Sequence, residues 1–218
     1  MAGAPADPPR WLLVAVAVLA AAALAFGIGR FTAFDTGGST APAEAANAAD
    51  AGFARDMQTH HAQAVEMAMT AYRSTADDEL RALAYDIATG QAAQSGQMYE
   101  WLVGWGLPQA GDPPMLWMSE HAGHGEAMTD AELREAMGMA TDAELSALRA
   151  APAGSAEGDC LFLRLMVRHH EGAISMVAAV LERGSQPRVL EVAGAMKATQ
   201  SAEIDAMRGM QRSLGCAG

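Results

Sequence analysis

Apolar positions recur with a helical period through most of this chain, and the pattern occurs twice. From Asp50 onwards, Phe53, Met57, His60, His61, Ala64, Ala68 and Ala71 share one arc when spaced at about 100° per residue. Met57 lies near the centre of that arc, with His60 and His61 on its shoulders. A turn is expected near Ser74–Asp78. Beyond it, Leu80, Leu83, Ile87, Gln91, Gln94, Met98, Trp101 and Trp105 line one face of a second helix. A short connection makes the two helices antiparallel neighbours, which sets Gln91 opposite the histidine pair.

The whole hairpin then returns at a constant offset of 109 residues. Asp50, Phe53, Arg55, Met57, His60, His61, Ala64 and Met67 recur as Asp159, Phe162, Arg164, Met166, His169, His170, Ala173 and Met176. Gln91, Met98 and Gly106 recur as Gln200, Met207 and Gly215, so Gln200 is expected opposite His170. A repeat of this length is a duplicated structural unit. The expected fold is all-α: a four-helix bundle made from two repeated hairpins, residues 50–106 and 159–218. Asp50 and Asp159 are the candidate caps of the first helix of each. Residues 107–158 form an acidic connector. Within it, Thr129-x-x-Glu132 and Thr141-x-x-Glu144 read as capping boxes of two short helices, over Thr129–Met139 and Thr141–Arg149.

Ahead of the repeat, residues 11–28 form an uncharged apolar run, long enough as a helix to span roughly 27 Å. A cleaved signal peptide and a retained anchor both fit. The length of the run and the poor small-x-small site at Gly27-Ile28-Gly29 favour a transmembrane anchor. Residues 1–10 would then be cytoplasmic, and residues 29–49, rich in Ala, Gly, Thr and Pro, a flexible linker. Either reading places the remainder outside the cytoplasm: a single-pass membrane protein, or a protein secreted after cleavage.

The formal charge of −12 gives no electrostatic reason to bind nucleic acid. All six histidines fall into three pairs, His60/His61, His121/His124 and His169/His170, and the fifteen methionines keep them company. Met57, Met67, Met166 and Met176 share the hairpin arcs, while Met118 flanks the central pair. Imidazole and thioether together suit copper, Cu(I) above all, and silver. They also survive in compartments where a free thiolate would oxidise. These residues are therefore the candidate ligands, with Gln91 and Gln200 behind them, and proton competition is expected to release metal near pH 6. The alternatives are methionine as core filler and the histidines as a hydrogen-bond network in a helical interaction or envelope module. Enzyme templates fit poorly. HExxH and the paired Glu-x-x-His of di-iron bundles are absent, so no catalytic residues are assigned.

The run Asp159-x-x-Phe162-x-x-x-Met166-x-x-His169-His170-Glu171-Gly172-Ala173-Ile174-x-Met176 resembles the signature of the domain of unknown function 305 family. Gln200-x-x-Glu203-Ile204-x-x-Met207 and Gly138-Met139-Ala140-Thr141 resemble its flanking segments. The resemblance covers residues 50–215. It implies an exported, ferritin-like helical bundle, and for some members copper binding and copper resistance. Copy one departs from the pattern, with Ala62-Gln63 for Glu-Gly and Gln94-Ser95 for Glu-Ile, which implies unequal metal affinity in the two copies.

These readings combine into an extracytoplasmic copper- or silver-binding protein acting in buffering, chaperoning or resistance. Its partners would be metal ions, the membrane and a delivery protein that the sequence does not name. The only two cysteines, Cys160 and Cys216, stand at the open end of the second hairpin and are expected to form a disulfide in an oxidising compartment.

Overall fold

The computed structural model describes residues 45–111, 113–118 and 129–216. Among the described residues it is all-helical: α1 Ala48–Ser74, α2 Asp78–Gly104, α3 Asp130–Ala136, α4 Asp142–Ala150, α5 Ala156–Arg183 and α6 Pro187–Ser213. A single 3-10 turn covers Leu116–Met118. Residues 1–44, with the apolar run 11–28, and the pair His121/His124 lie outside the described residues. Among the described residues no helix is long and apolar enough to cross a membrane.

The offset of 109 residues survives in three dimensions. It carries the end of α1 and both ends of α2 onto the end of α5 and both ends of α6. It also carries the left-handed Gly106 onto Gly215, both at φ 68°. Leu107 and Cys216, the residues after these glycines, donate their N–H to the carbonyls of Leu102 and Gln211, closing both second helices in the same way.

The expected caps are corrected. α1 begins at Ala48 with Asn47 as its cap, and Asp50 is the reciprocal member of a capping box. In copy two the cap is Ser155, one turn before Asp159. Asp50 has a larger role than capping. Its carboxylate accepts from Ser185 N (3.1 Å), Ser185 Oγ (2.8 Å) and Gln186 N (3.3 Å), and so holds the turn of the other hairpin. Thr129 and Thr141 do cap α3 and α4 with Glu132 and Glu144 in reciprocal boxes. α3 stops at Ala136, short of the expected Met139. Gly138 turns to φ 70° there, and the Met139 N–H bonds back to the Arg134 carbonyl.

Two apolar clusters form the core. One joins Met67, Ala68 and Ala71 of α1 and Leu80 and Ile87 of α2 to Phe162 and Met166 of α5 and Met207 of α6. The other joins Phe53, Met57, Met98 and Leu102 to Met176, Val177, Val180 and Val189. Each cluster thus pairs opposite halves of α1 and α5, so these helices run antiparallel. Phe53, Met57 and Met98 in one cluster correspond to Phe162, Met166 and Met207 in the other, which makes the two hairpins related by an approximate two-fold. Complete burial of a side chain of this size contributes about 1.5–3 kcal/mol. Cys160 and Cys216 are joined by a disulfide, Cα atoms 5.4 Å apart, at one end of this core.

Candidate metal centre

Between the two apolar clusters lies a polar waist. His60, His61, His169 and His170 are all buried there, as are Gln91 and Gln200. The rings form a row. The His60 and His169 centroids are 3.6 Å apart, and each lies 6.4 Å from its neighbour, His61 or His170. His60 and His169 are repeat equivalents. A residue packed on its own equivalent stands on the two-fold axis, so this pair marks it.

Three of the four rings are oriented from behind. His60 Nε2 lies 3.0 Å from the Met137 carbonyl, His61 Nε2 lies 2.8 Å from Gln94 Oε1, and His170 Nε2 lies 2.8 Å from Glu203 Oε2. A carbonyl or carboxylate oxygen can only accept, so each Nε2 carries a proton, and in the neutral ring Nδ1 then presents a bare lone pair. This is the arrangement in which a ligand imidazole is held by its outer partner. Among the described residues, the three Nδ1 atoms and both ring nitrogens of His169 have no hydrogen-bond partner.

Gln91 and Gln200 are buried and, among the described residues, make no side-chain hydrogen bond; the groups that reach the outer histidines are Gln94 and Glu203, one turn further on. Helical side chains lean towards their own N-terminus. His61 therefore leans away from the turn, while Gln94 leans towards it, and the two meet. That lean, with the repeat offset linking Gln94 to Glu203, is the signal that locates them.

Burial keeps His60, His61 and His169 neutral. It pushes His60 down to about 3, with the charge of His61 adding to the effect, and His61 down to about 4 against the opposing bond from Gln94. Burial, then the neighbouring His60 and His170, holds His169 well below the ordinary histidine range. Proton competition at these rings is thus displaced well below the pH 6 expected from ordinary histidine. No three His, Cys, Asp or Glu side chains among the described residues are arranged to hold one ion. A soft ion here would draw on imidazole nitrogen together with methionine sulfur. Met57 and Met166, one turn before His60 and His169, are packed in opposite clusters, as are Met176 and Met67. Met118 is half-buried on the 3-10 turn, against the cluster that holds Met57.

The connector closes one side of the waist. Gln63 donates to the Ala140 carbonyl (2.9 Å) and accepts from its N–H (2.7 Å). Its repeat equivalent is Gly172, where an added Cβ would stand 1.9 Å from the Met137 carbonyl. The substitutions of Gln63 for Gly and Gly172 for Gln are therefore complementary: one side chain grips the connector and the other is absent to admit it. Asp56 fastens the segment further upstream, accepting from Met115 N (2.7 Å) and Trp117 Nε1 (2.8 Å).

Comparison with known proteins agrees with this architecture. A DUF305 protein of Streptomyces coelicolor is 40% identical, with a TM-score of 0.67 over 77% of this chain and 92% of its own. A DUF305 fragment from Deinococcus radiodurans is 32% identical, with a TM-score of 0.64 over 80% of this chain and 100% of its own. CopM in its Cu(II)-bound form is 28% identical, with a TM-score of 0.56 over 75% of this chain and 96% of its own. None of the curated proteins matches. Residues 50–211 match the model for the domain of unknown function DUF305, and the chain belongs to that family.

Proposed function

We propose that this protein binds copper or silver at the waist and works as an extracytoplasmic buffer or carrier of the metal, without catalysis of its own. One observation supports the reading most strongly. The nine buried side-chain nitrogen and oxygen atoms that lack a partner among the described residues all belong to the four histidines and two glutamines of the waist. An unsatisfied buried polar group costs about 1–3 kcal/mol, so such a concentration calls for a ligand. The chemistry of imidazole and thioether favours a soft ion, and CopM, a relative in fold, has been seen with Cu(II) bound. Buried water satisfying the same atoms would be the mark of the other reading, a metal-free interaction module.

The test is metal analysis of the purified full-length protein after exposure to Cu(I), Cu(II), Ag(I) and Zn(II). His169→Ala with His170→Ala is expected to remove more bound metal than His121→Ala with His124→Ala. Unchanged stoichiometry in the first variant would refute the assignment. The apolar run 11–28 would tether the domain to the membrane. Release of the protein by alkaline carbonate would argue against that tether.

A further inference from the structure

The two ends of the histidine row look alike but differ in charge. His61 is braced by the neutral amide of Gln94, and His170, its equivalent, by the carboxylate of Glu203. We infer that the waist holds two unequal metal sites, the His170 end selecting the more highly charged ion through Glu203 and the His61 end favouring monovalent soft ions. The inference rests on the reading that these histidines bind metal. Three features support it.

A carboxylate behind an imidazole makes the ring a stronger donor and places a formal negative charge behind the ligand. Coulomb energy scales with the charge of the ion, so a divalent ion gains about twice what a monovalent ion gains from Glu203. That charge is not cancelled locally. Among the described residues Glu203 is hydrogen-bonded to His170 and meets no arginine or lysine, and Arg208, further along α6, is drawn instead to Glu171 at 2.5 Å. It is also poorly screened. The Glu203 side chain is only 16% exposed, and the next residue, Ile204, is buried in an apolar cluster where copy one has the half-buried Ser95.

Glu203→Gln keeps the shape and the hydrogen bond and removes only the charge. Gln94→Glu adds a charge at the other end and leaves Glu203 in place. The full-length protein, carrying His121→Ala and His124→Ala so that the connector pair is silent, would be titrated separately with Cu(II) and with Ag(I). Circular dichroism would verify the helical fold of each variant. Glu203→Gln should weaken one Cu(II) site about 10–100-fold, the scale of outer-partner effects on metal affinity, and shift Ag(I) much less. Gln94→Glu should tighten the other Cu(II) site, and the double exchange should restore two unequal sites. Equal shifts for both ions, or no shift while both still bind, would overturn the inference. Failure of the parent protein to bind either ion would instead defeat the reading of the waist as a metal centre.

Discussion

The two hairpins share one pattern of core residues and differ at nearly every point where they are fastened. Copy two is stapled at its mouth by Cys160–Cys216, where copy one carries Ala51 and Leu107. Copy one starts with a carboxylate, Asp50, that binds the opposing turn, whereas the turn of copy one is met by the connector, the Gly154 N–H donating to the Ser74 carbonyl at 2.7 Å. Copy one grips the connector with Gln63, and copy two makes room for it at Gly172. Duplication thus repeated the core, where shape is dictated by the partner copy, and left caps, staples and outer histidine partners free to diverge.

The staple should show the largest difference. Cys160 and Cys216 are 56 residues apart, and the chain-entropy model assigns a loop of that size about 4 kcal/mol. Cys160→Ser with Cys216→Ser is expected to lower the thermal midpoint by roughly 10 °C for a domain of this size. Thiol titration of the denatured, unreduced parent protein should find no free thiol. Two free thiols would remove this part of the comparison.

Asp50 and Asp159 are repeat equivalents with unequal work. Asp50→Ala removes the acceptor of the Ser185 N–H and Oγ–H and of the Gln186 N–H and should cost about 2–3 kcal/mol in urea unfolding. Asp159→Ala removes a carboxylate in the first turn of α5 and should change stability by less than about 1 kcal/mol. Equal losses would mean that the Asp50 bridge between hairpins contributes little.

At the waist the sign of the pH effect follows from burial. The unfolded chain takes up protons at histidine below about 6.5, while His61 in the folded protein resists until about 4 and His60 until about 3. The contribution of these histidines to the stability of the metal-free protein is therefore complete above about pH 6.5 and is lost as pH drops from there towards 3. The slope approaches about 1.4 kcal/mol per pH unit for each such histidine. His60→Leu should flatten that slope in urea midpoints measured from pH 7 to 4.5. An unchanged slope would show that His60 is not held neutral by burial.

Much of this molecule was legible before any coordinates. A period of 3.6 residues reveals which face of a helix must leave water, so the buried arc from Phe53 to Ala71 and the inward histidines followed from spacing alone. The repeat placed the turns, because an offset without gaps carries the end of α1 and both ends of α2 onto the end of α5 and both ends of α6. Threonine with glutamate three residues later predicted the caps of α3 and α4, since that geometry is local. Asp50 was misread for the same reason: its role as a cap is local, but the turn it holds is 135 residues away. Which core each methionine joins, the stacking of His60 on His169, and the meeting of His61 with Gln94 and His170 with Glu203 depend on how α1 crosses α5 and how side chains lean between helices. Those relations join residues distant in sequence, where no periodicity extends, and only packing decides them.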